Sequence, residues 1–185
     1  MSTYSLPNDD LKNALDNVMS QYHPHLRDAG LSVDILLAHA PTDANGDTVG
    51  PAIKLHGHAC CATIRVLGLR DRVAGRGDAE MLVDGDKWNT WPEDQLRAIL
   101  DHELTHLGLK VSDGGVVRRD DIGRPVLRLR HHDRQFGWFD AVARRHASAS
   151  IEVQQASQLA GMSDLRQLYL PGMDSGTGTR KQGRR

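Results

Sequence analysis

The sequence predicts an α+β domain in which a small mixed sheet packs on one central helix. Apolar residues alternate in short runs that indicate strands, and elsewhere they recur at helical spacing. A length of 185 residues suits one hydrophobic core, and a composition of 39% hydrophobic and 25% charged residues is typical of a globular domain. We therefore expect one domain with one principal site.

The first half of the chain is predicted to contain a helix and three strands. Asn8 or Asp9 can cap a helix whose apolar residues share one face and which should end by Gly30. From Ser32 to Ala40, apolar and polar residues alternate as they do in a half-buried strand. Strands are expected over residues 32–40, 52–67 and 79–83.

A longer helix is predicted to begin near Pro92 and to run through about Leu109. Thr90 and Glu93 have the spacing of a capping box, and proline is acceptable in a first helical turn. The apolar stripe of this helix consists of Leu96, Ile99, Leu100, Leu104 and Leu107. Two histidines project from a neighbouring face, so the helix presents ligand groups beside its packed side.

The C-terminal part is predicted to begin with a loop or hairpin over residues 111–130. Helices are expected over 133–146 and from about 150 to 159. Residues 171–185 are rich in glycine, serine, threonine and basic residues, which predicts a disordered basic tail. The folded domain is therefore expected to span residues 1–170.

The sequence also indicates where the protein works. No run approaches the roughly 18 apolar residues that a membrane span needs, and the N-terminus lacks the pattern of a signal peptide. The two cysteines, Cys60 and Cys61, are adjacent and therefore unsuited to pairing with each other. Reduced thiols are typical of the cytoplasm, so we expect a cytoplasmic protein without a membrane partner.

The predicted long helix carries the run His102-Glu103-Leu104-Thr105-His106. Histidines four residues apart lie one turn apart on a helix, so both imidazoles can reach one zinc ion at about 2.0–2.1 Å. Glu103 lies beside the open coordination position, where it can accept a proton from water. The run therefore predicts a site with His102 and His106 as ligands of one zinc ion and Glu103 as the catalytic base.

A catalytic zinc site normally has three protein ligands, so a third ligand is needed. The metzincin pattern is absent, because Leu109 and Ser112 occupy its glycine and histidine positions. Acidic candidates, none in a distinctive frame, are Asp113, Asp120, Asp121, Asp140 and Glu152. The pair His131-His132 is favoured because it stands between a predicted strand and a predicted helix, where a ligand would be rigidly placed.

These segments resemble a known family. The histidine helix, followed by Arg130-His131-His132-Asp133-Arg134-Gln135-Phe136, is similar to the putative phage metallopeptidase family and more loosely to SprT-like zinc proteases. The resemblance covers about residues 57–146. It implies a zincin-like domain from a phage or mobile element that hydrolyses peptide bonds in a protein or peptide substrate. A histidine followed by Asp, two variable residues and Phe supplies the later ligand in that family, which implies His132, with His131 as the alternative.

Two further patterns favour other functions. His56, His58 and Cys60 alternate on a predicted strand, but no fourth ligand at characteristic spacing accompanies them, so a polar strand edge is the better interpretation. Arginines between residues 118 and 134 and cations in the tail suit phosphate binding, although acidic residues are interleaved and aromatic residues make up only 4%. Two rival hypotheses follow: an inactive zinc-binding regulatory module, and a DNA-associated protein that uses its basic tail.

Overall fold

The computed structural model describes residues 2–55, 57–132 and 138–161, in which helices and small sheets are mixed. The helices are α1 (Asp9–Tyr22), α2 (Pro24–Asp28), α3 (Leu69–Val73), α4 (Glu93–Thr105), α5 (Asp140–His146) and α6 (Ile151–Gly161). The strands are β1 (Thr3–Ser5), β2 (Val33–His39), β3 (Lys54–Leu55), β4 (His58–Ala59), β5 (Ala62–Val66), β6 (Ala79–Asp84), β7 (Leu107–Leu109) and β8 (Leu127–Leu129). Across these residues, no helix combines the length and apolarity needed to cross a bilayer.

The main sheet has four strands in the order β1-β2-β6-β5. Its two central strands are parallel, with Val33 opposite Ala79, and each outer strand is antiparallel to its neighbour. β5 therefore ends the sheet on one side. Two small ladders accompany it, one joining β3 to β4 and the other joining β7 to β8.

Helices α1 and α4 bury their apolar faces in one core with the main sheet. The predicted face of α1 is buried, and the Asn8 side chain caps this helix by accepting a hydrogen bond from the Leu11 N–H at 3.1 Å. Leu100 of α4 and Met81 of β6 have no exposed surface and belong to the same cluster. The mixed class predicted from the sequence is confirmed, and the core fixes α4 on the sheet.

The predicted first helix is interrupted at His23. The backbone of this residue has φ −128° and ψ 46°, so α1 ends at Tyr22 and a separate helix begins at Pro24. Proline has no N–H to continue the helical ladder, and its ring disfavours a helical conformation in the preceding residue. The first helix therefore ends within the predicted limit of Gly30, and a second short helix follows it before that residue.

The predicted strand over 52–67 is three strands. β3 and β4 form a short hairpin, in which Gly57 has a φ of 87° that side chains with a Cβ rarely adopt. Only Ala62 to Val66 pairs with the main sheet. Because the turn at Gly57 uses the first part of this segment for a separate hairpin, only five residues remain for the edge strand β5.

Both ends of α4 differ from the prediction. Thr90 Oγ1 donates to the Lys87 carbonyl at 2.7 Å, and Pro92 at the N-cap makes no side-chain cap, so the capping box does not form. The helix ends at Thr105 because the next residues enter the β7–β8 ladder, which replaces the helical hydrogen bonds. His106 is consequently the C-cap residue.

The C-terminal elements agree with the sequence in part. The hairpin prediction for 111–130 is confirmed, with bridges between Val111 and Val117 and between Arg119 and Pro125. The start of the predicted helix over 133–146 falls on residues 133–137, which lie outside the described residues. α5 begins only at Asp140, and α6 agrees with the predicted last helix. The predicted tail over 171–185 also lies outside the described residues.

Candidate metal centre

The end of α4 and the segment after β8 bring three histidines together. His102 lies in the last turn of α4, His106 follows as its C-cap, and His132 follows β8. The Arg130 N–H donates to the His106 carbonyl at 2.6 Å, which returns the chain to the helix end after the hairpin. Backbone hydrogen bonding therefore positions the third histidine.

The spacing of the three imidazoles suits a single ion. One ring nitrogen from each of His102, His106 and His132 lies within 4.8 Å of the other two. The Nε2 atoms of His102 and His132 are 3.2 Å apart. Nitrogen ligands bound to zinc at about 2.0–2.1 Å in a tetrahedral site are about 3.3 Å apart, so these two atoms already have the separation that zinc requires.

The Nδ1 atoms of both helix histidines have partners. Nδ1 of His102 lies 2.8 Å from Oε1 of Glu152, and Nδ1 of His106 lies 2.8 Å from the carbonyl oxygen of Arg130. A carbonyl oxygen only accepts, so Nδ1 of His106 carries its proton, and the carboxylate favours the same tautomer in His102. Nε2 of each ring is thereby left with a lone pair for a metal.

Glu152, one of the acidic candidates for the third ligand, lies behind His102 instead. Its Oε1 also accepts from the Phe139 N–H at 3.4 Å, and its buried Oε2 has no hydrogen-bond partner within the described part of the chain. Burial raises the pKa of Glu152, but the hydrogen bond from His102, the charge of His102 and backbone hydrogen bonds together outweigh burial, and the net pKa is lowered. A buried negative charge behind a ligand imidazole fits a cation on the other side of that ring.

Phe139 forms an apolar wall against the histidines. It has no exposed surface, and its ring centroid lies 5.0 Å from that of His102, 4.7 Å from that of His106 and 5.0 Å from that of His132. An apolar wall excludes water from one side of a site and lowers the local dielectric constant. The metal would therefore be open to solvent or substrate from the other side.

The pKa values of the two helix histidines move in opposite directions. Burial lowers the pKa of His106 to about 4, and the charges of the neighbouring histidines act in the same direction. Burial also lowers the pKa of His102, but the hydrogen bond with Glu152 and the negative charges of Glu103, Glu152 and Asp101 together outweigh burial and raise the net pKa. His106 is therefore neutral at pH 7 and ready to bind, because a metal needs the unprotonated ring.

Glu103 does not belong to the group of three histidines, and it lies at the edge of the main sheet. It is 7% exposed, and its carboxylate faces the backbone N–H of Ile64 in β5, which lowers the pKa of the carboxyl group. Burial raises the pKa of Glu103 to about 7, and the positive charge of His102 opposes this shift. A carboxyl group with a pKa near neutrality can both accept and return a proton at physiological pH.

The remaining candidate ligands lie elsewhere. His131 is exposed, and the group of three does not include it. Among the described residues, none of the acidic candidates belongs to this group. Asp120, for example, accepts from the N–H groups of Ile122 and Arg124 within its own turn.

The alternating pattern around Cys60 does not form a metal group in the part of the chain that is described. His56 lies outside the described residues, and His58 is exposed on β4. Cys60 packs beside Ala38 and Ile53, and burial raises the pKa of its thiol to about 11. Both cysteines are free thiols, as the sequence predicts.

Two arginines of the basic run bind within the fold. Arg119 donates to the carbonyl oxygens of Gly123 and Ala29 at 2.8 and 3.3 Å. Arg124 donates to the carbonyl of Arg76 at 2.6 Å and forms an ion pair with Asp78 at 2.9 Å. These two guanidinium groups therefore stabilise the hairpin and already have partners within the protein, so they are poor candidates for phosphate binding.

Comparison with known proteins gives one match. The family model described as putative phage metallopeptidase matches residues 3–161, a longer span than the resemblance read from the sequence. That span contains the three converging histidines and Glu103. No curated protein and no solved structure matches the chain. Because the family model covers well over half of the 185 residues, the chain belongs to the putative phage metallopeptidase family.

Proposed function

We propose that the chain is a zinc-dependent peptidase in which His102, His106 and His132 hold one zinc ion and Glu103 is the catalytic base. The main support for this proposal is that one ring nitrogen of each of the three histidines lies close to the other two. Nδ1 of both helix histidines is hydrogen-bonded elsewhere, which leaves Nε2 for the metal. Membership of a metallopeptidase family supports the same activity. Zinc is the favoured metal because three neutral nitrogen ligands suit it better than they suit magnesium or calcium.

The chemistry is divided between the metal and Glu103. When bound, zinc would supply Lewis acidity, which lowers the pKa of water and polarises a peptide carbonyl. Glu103 accepts the proton of the attacking water and passes it to the leaving amine, and its pKa near 7 suits both transfers. The Ile64 N–H faces one side of this carboxylate.

We propose that the substrate is an extended peptide that lies along β5. Hydrogen bonds from the Asp84 N–H to the Cys61 carbonyl and from the Leu67 N–H to the Asp78 carbonyl, both 2.9 Å, show that odd-numbered residues of this segment face β6. The backbone groups of residues 62, 64 and 66 therefore face the outer edge. Such an edge accepts a peptide as an added strand, and its place beside the histidine helix supports a zincin-like architecture.

The decisive experiment combines metal analysis with peptide hydrolysis. We expect wild type and Glu103→Gln each to bind one zinc ion, and the variant to lose at least about 100-fold in kcat because the proton acceptor is gone. Full activity in Glu103→Gln would rule out this mechanism. Zinc binding without hydrolysis in wild type would favour the inactive regulatory module instead.

The third ligand is tested separately. His132→Ala should lose zinc affinity, whereas the matched variant His131→Ala should bind zinc as wild type does. The reverse result would reassign the ligand to His131.

The DNA-associated rival depends on the basic residues at positions 171–185. Removing these residues should leave peptidase activity unchanged if our proposal is right. Loss of hydrolysis on this truncation would place the working part of the protein in the tail.

A further inference from the structure

The residue before His102 forms a second polar cluster inside the protein. Asp101 has no exposed surface, and its Oδ1 accepts from His23 Nε2 at 2.7 Å and from Arg145 Nη1 at 2.8 Å. Its Oδ2 accepts from His146 Nε2 at 2.8 Å. These donors keep the pKa of Asp101 at about 2 despite its burial, so the carboxylate is charged.

The partners of Asp101 also contact one another. The Tyr22 ring packs edge-on against His146 with a centroid separation of 5.3 Å, and the Arg145 guanidinium lies 5.3 Å from the Tyr22 centroid. We call Tyr22, His23, Asp101, Arg145 and His146 the Asp101 cluster. It joins the corner between α1 and α2, the helix α4 and the end of α5.

α5 connects this cluster to the metal centre. Arg145 and His146 lie in its last turn, whereas Phe139, which packs on all three histidines, immediately precedes its first residue. A single 3-10 turn then leads from α5 into α6, which carries Glu152. A helix of seven residues is about 10 Å long, so the Asp101 cluster fixes one end of a rigid segment whose other end touches the imidazoles.

We propose that Asp101 is a positioning residue for the metal centre. By holding α5 against α4, it sets the distance of Phe139 and Glu152 from His102. Its carboxylate is occupied by His23, Arg145 and His146, with a longer hydrogen bond from Thr105 Oγ1 at 3.4 Å, so Asp101 acts on the site through its neighbours and not by direct contact. The inference rests on the proposed zinc site and adds to it the groups that maintain its geometry.

A second buried carboxylate provides a matched control. Asp78 also has no exposed surface, and it forms ion pairs with Arg124 at 2.9 Å and Arg72 at 3.6 Å and accepts from the Ser32 N–H at 2.8 Å. None of these partners belongs to the histidine group or to the Asp101 cluster. Asp78→Asn should therefore weaken the fold without altering the metal centre.

The test measures zinc affinity by chelator competition and the visible spectrum of the Co²⁺-loaded full chain. Measurements are made at a temperature at which circular dichroism shows each variant to be folded. We expect Asp101→Asn and Arg145→Met to weaken zinc binding by about 10- to 100-fold and to change the cobalt spectrum, because the groups around the ligands shift. Arg145→Lys should recover most of the affinity, and Asp78→Asn should stay within about twofold of wild type.

Each outcome decides between a positioning role and a purely structural one. If Asp101→Asn does not fold, Arg145→Met alone tests the proposal, since the Arg145 side chain is partly exposed and both histidine donors to Asp101 remain. The positioning role is overturned if the folded Asp101 and Arg145 variants bind zinc with wild-type affinity, or if Asp78→Asn loses as much zinc affinity as they do. Neither result contradicts the proposed zinc site. Absence of zinc binding in wild type overturns the proposed function and this inference together.

Discussion

Two regions of the molecule each enclose a fully buried carboxylate, but they surround it with different cations. Asp101, beside the metal centre, is held by His23, His146 and Arg145, whereas Asp78 is held by two arginines. Arginine stays charged throughout the accessible pH range, and histidine does not. The Asp78 region therefore keeps its ion pairs across this range, whereas the region around the metal centre contains Glu103, whose pKa of about 7 lies near physiological pH.

The largest expected effect lies in the Asp78 region. Arg72→Met removes a buried guanidinium that donates to Asp120, to two backbone carbonyls and toward Asp78. We expect a loss of about 4 kcal/mol in unfolding free energy, because the buried carboxylates lose a cationic partner. Urea denaturation measures the loss, and zinc affinity of the folded variant should stay within about twofold of wild type. A large loss of zinc affinity would show that the two regions are coupled.

A smaller effect, of opposite sign, is expected for Glu103. Its folded pKa of about 7 lies above the ordinary value of 4.5, so the metal-free protein loses stability as the pH rises between these values. Glu103→Gln removes this penalty and should make the metal-free protein more stable at pH 8 by about 3 kcal/mol. The control Glu93→Gln, at an exposed position, should change little. A destabilised Glu103→Gln protein would contradict the assigned burial penalty.

The acid stability of the Asp101 region should change next. The pKa of Asp101 is about 2, below its ordinary value of 3.8, so its contribution is complete above about pH 4 and is lost as the pH falls toward 2. The shift corresponds to about 2 kcal/mol of unfolding free energy. Urea denaturation of metal-free wild type and Asp101→Asn should therefore give a stability difference that shrinks below pH 4. A difference independent of pH would refute this account.

The smallest expected effect concerns Glu152. Glu152→Gln keeps an acceptor for Nδ1 of His102 but removes the negative charge behind the ring. We expect about a tenfold weaker zinc affinity, or about 1.4 kcal/mol, measured by chelator competition. The exposed control Glu93→Gln should bind zinc as wild type does. Unchanged affinity in Glu152→Gln would mean that the charge of this carboxylate does not support the metal.

The elements predicted well from the sequence are those specified by local spacing. The apolar face of α1 and the presence of the His102–His106 pair on one helix follow from helical periodicity, whereas the end of α4 at Thr105 was not predicted. The end of α1 before Pro24 is also a local effect, and it falls within the predicted limit of Gly30. The prediction of one strand over residues 52–67 was wrong, because the alternation of apolar residues was given more weight than the turn signal at Gly57.

The groups that surround the metal centre were not predictable in the same way. Glu152 lies 50 positions from His102, and His23 lies 78 positions from Asp101, so no local period relates them. Such pairs depend on how α5 and α6 pack, which is decided by the whole core. His132, 30 positions beyond His102, was placed with the helix histidines by family resemblance, and the structure brings the three rings together.

The position of Glu103 against the Ile64 N–H makes the outer edge of β5 unsymmetrical at its midpoint. There the strand presents a carbonyl acceptor to an added chain, while the neighbouring N–H donor faces the Glu103 carboxylate. A peptide paired with β5 in that register would leave one of its own carbonyl oxygens without a backbone donor, next to the proposed proton acceptor. We expect the peptide bond of that carbonyl group to be the one that is cut.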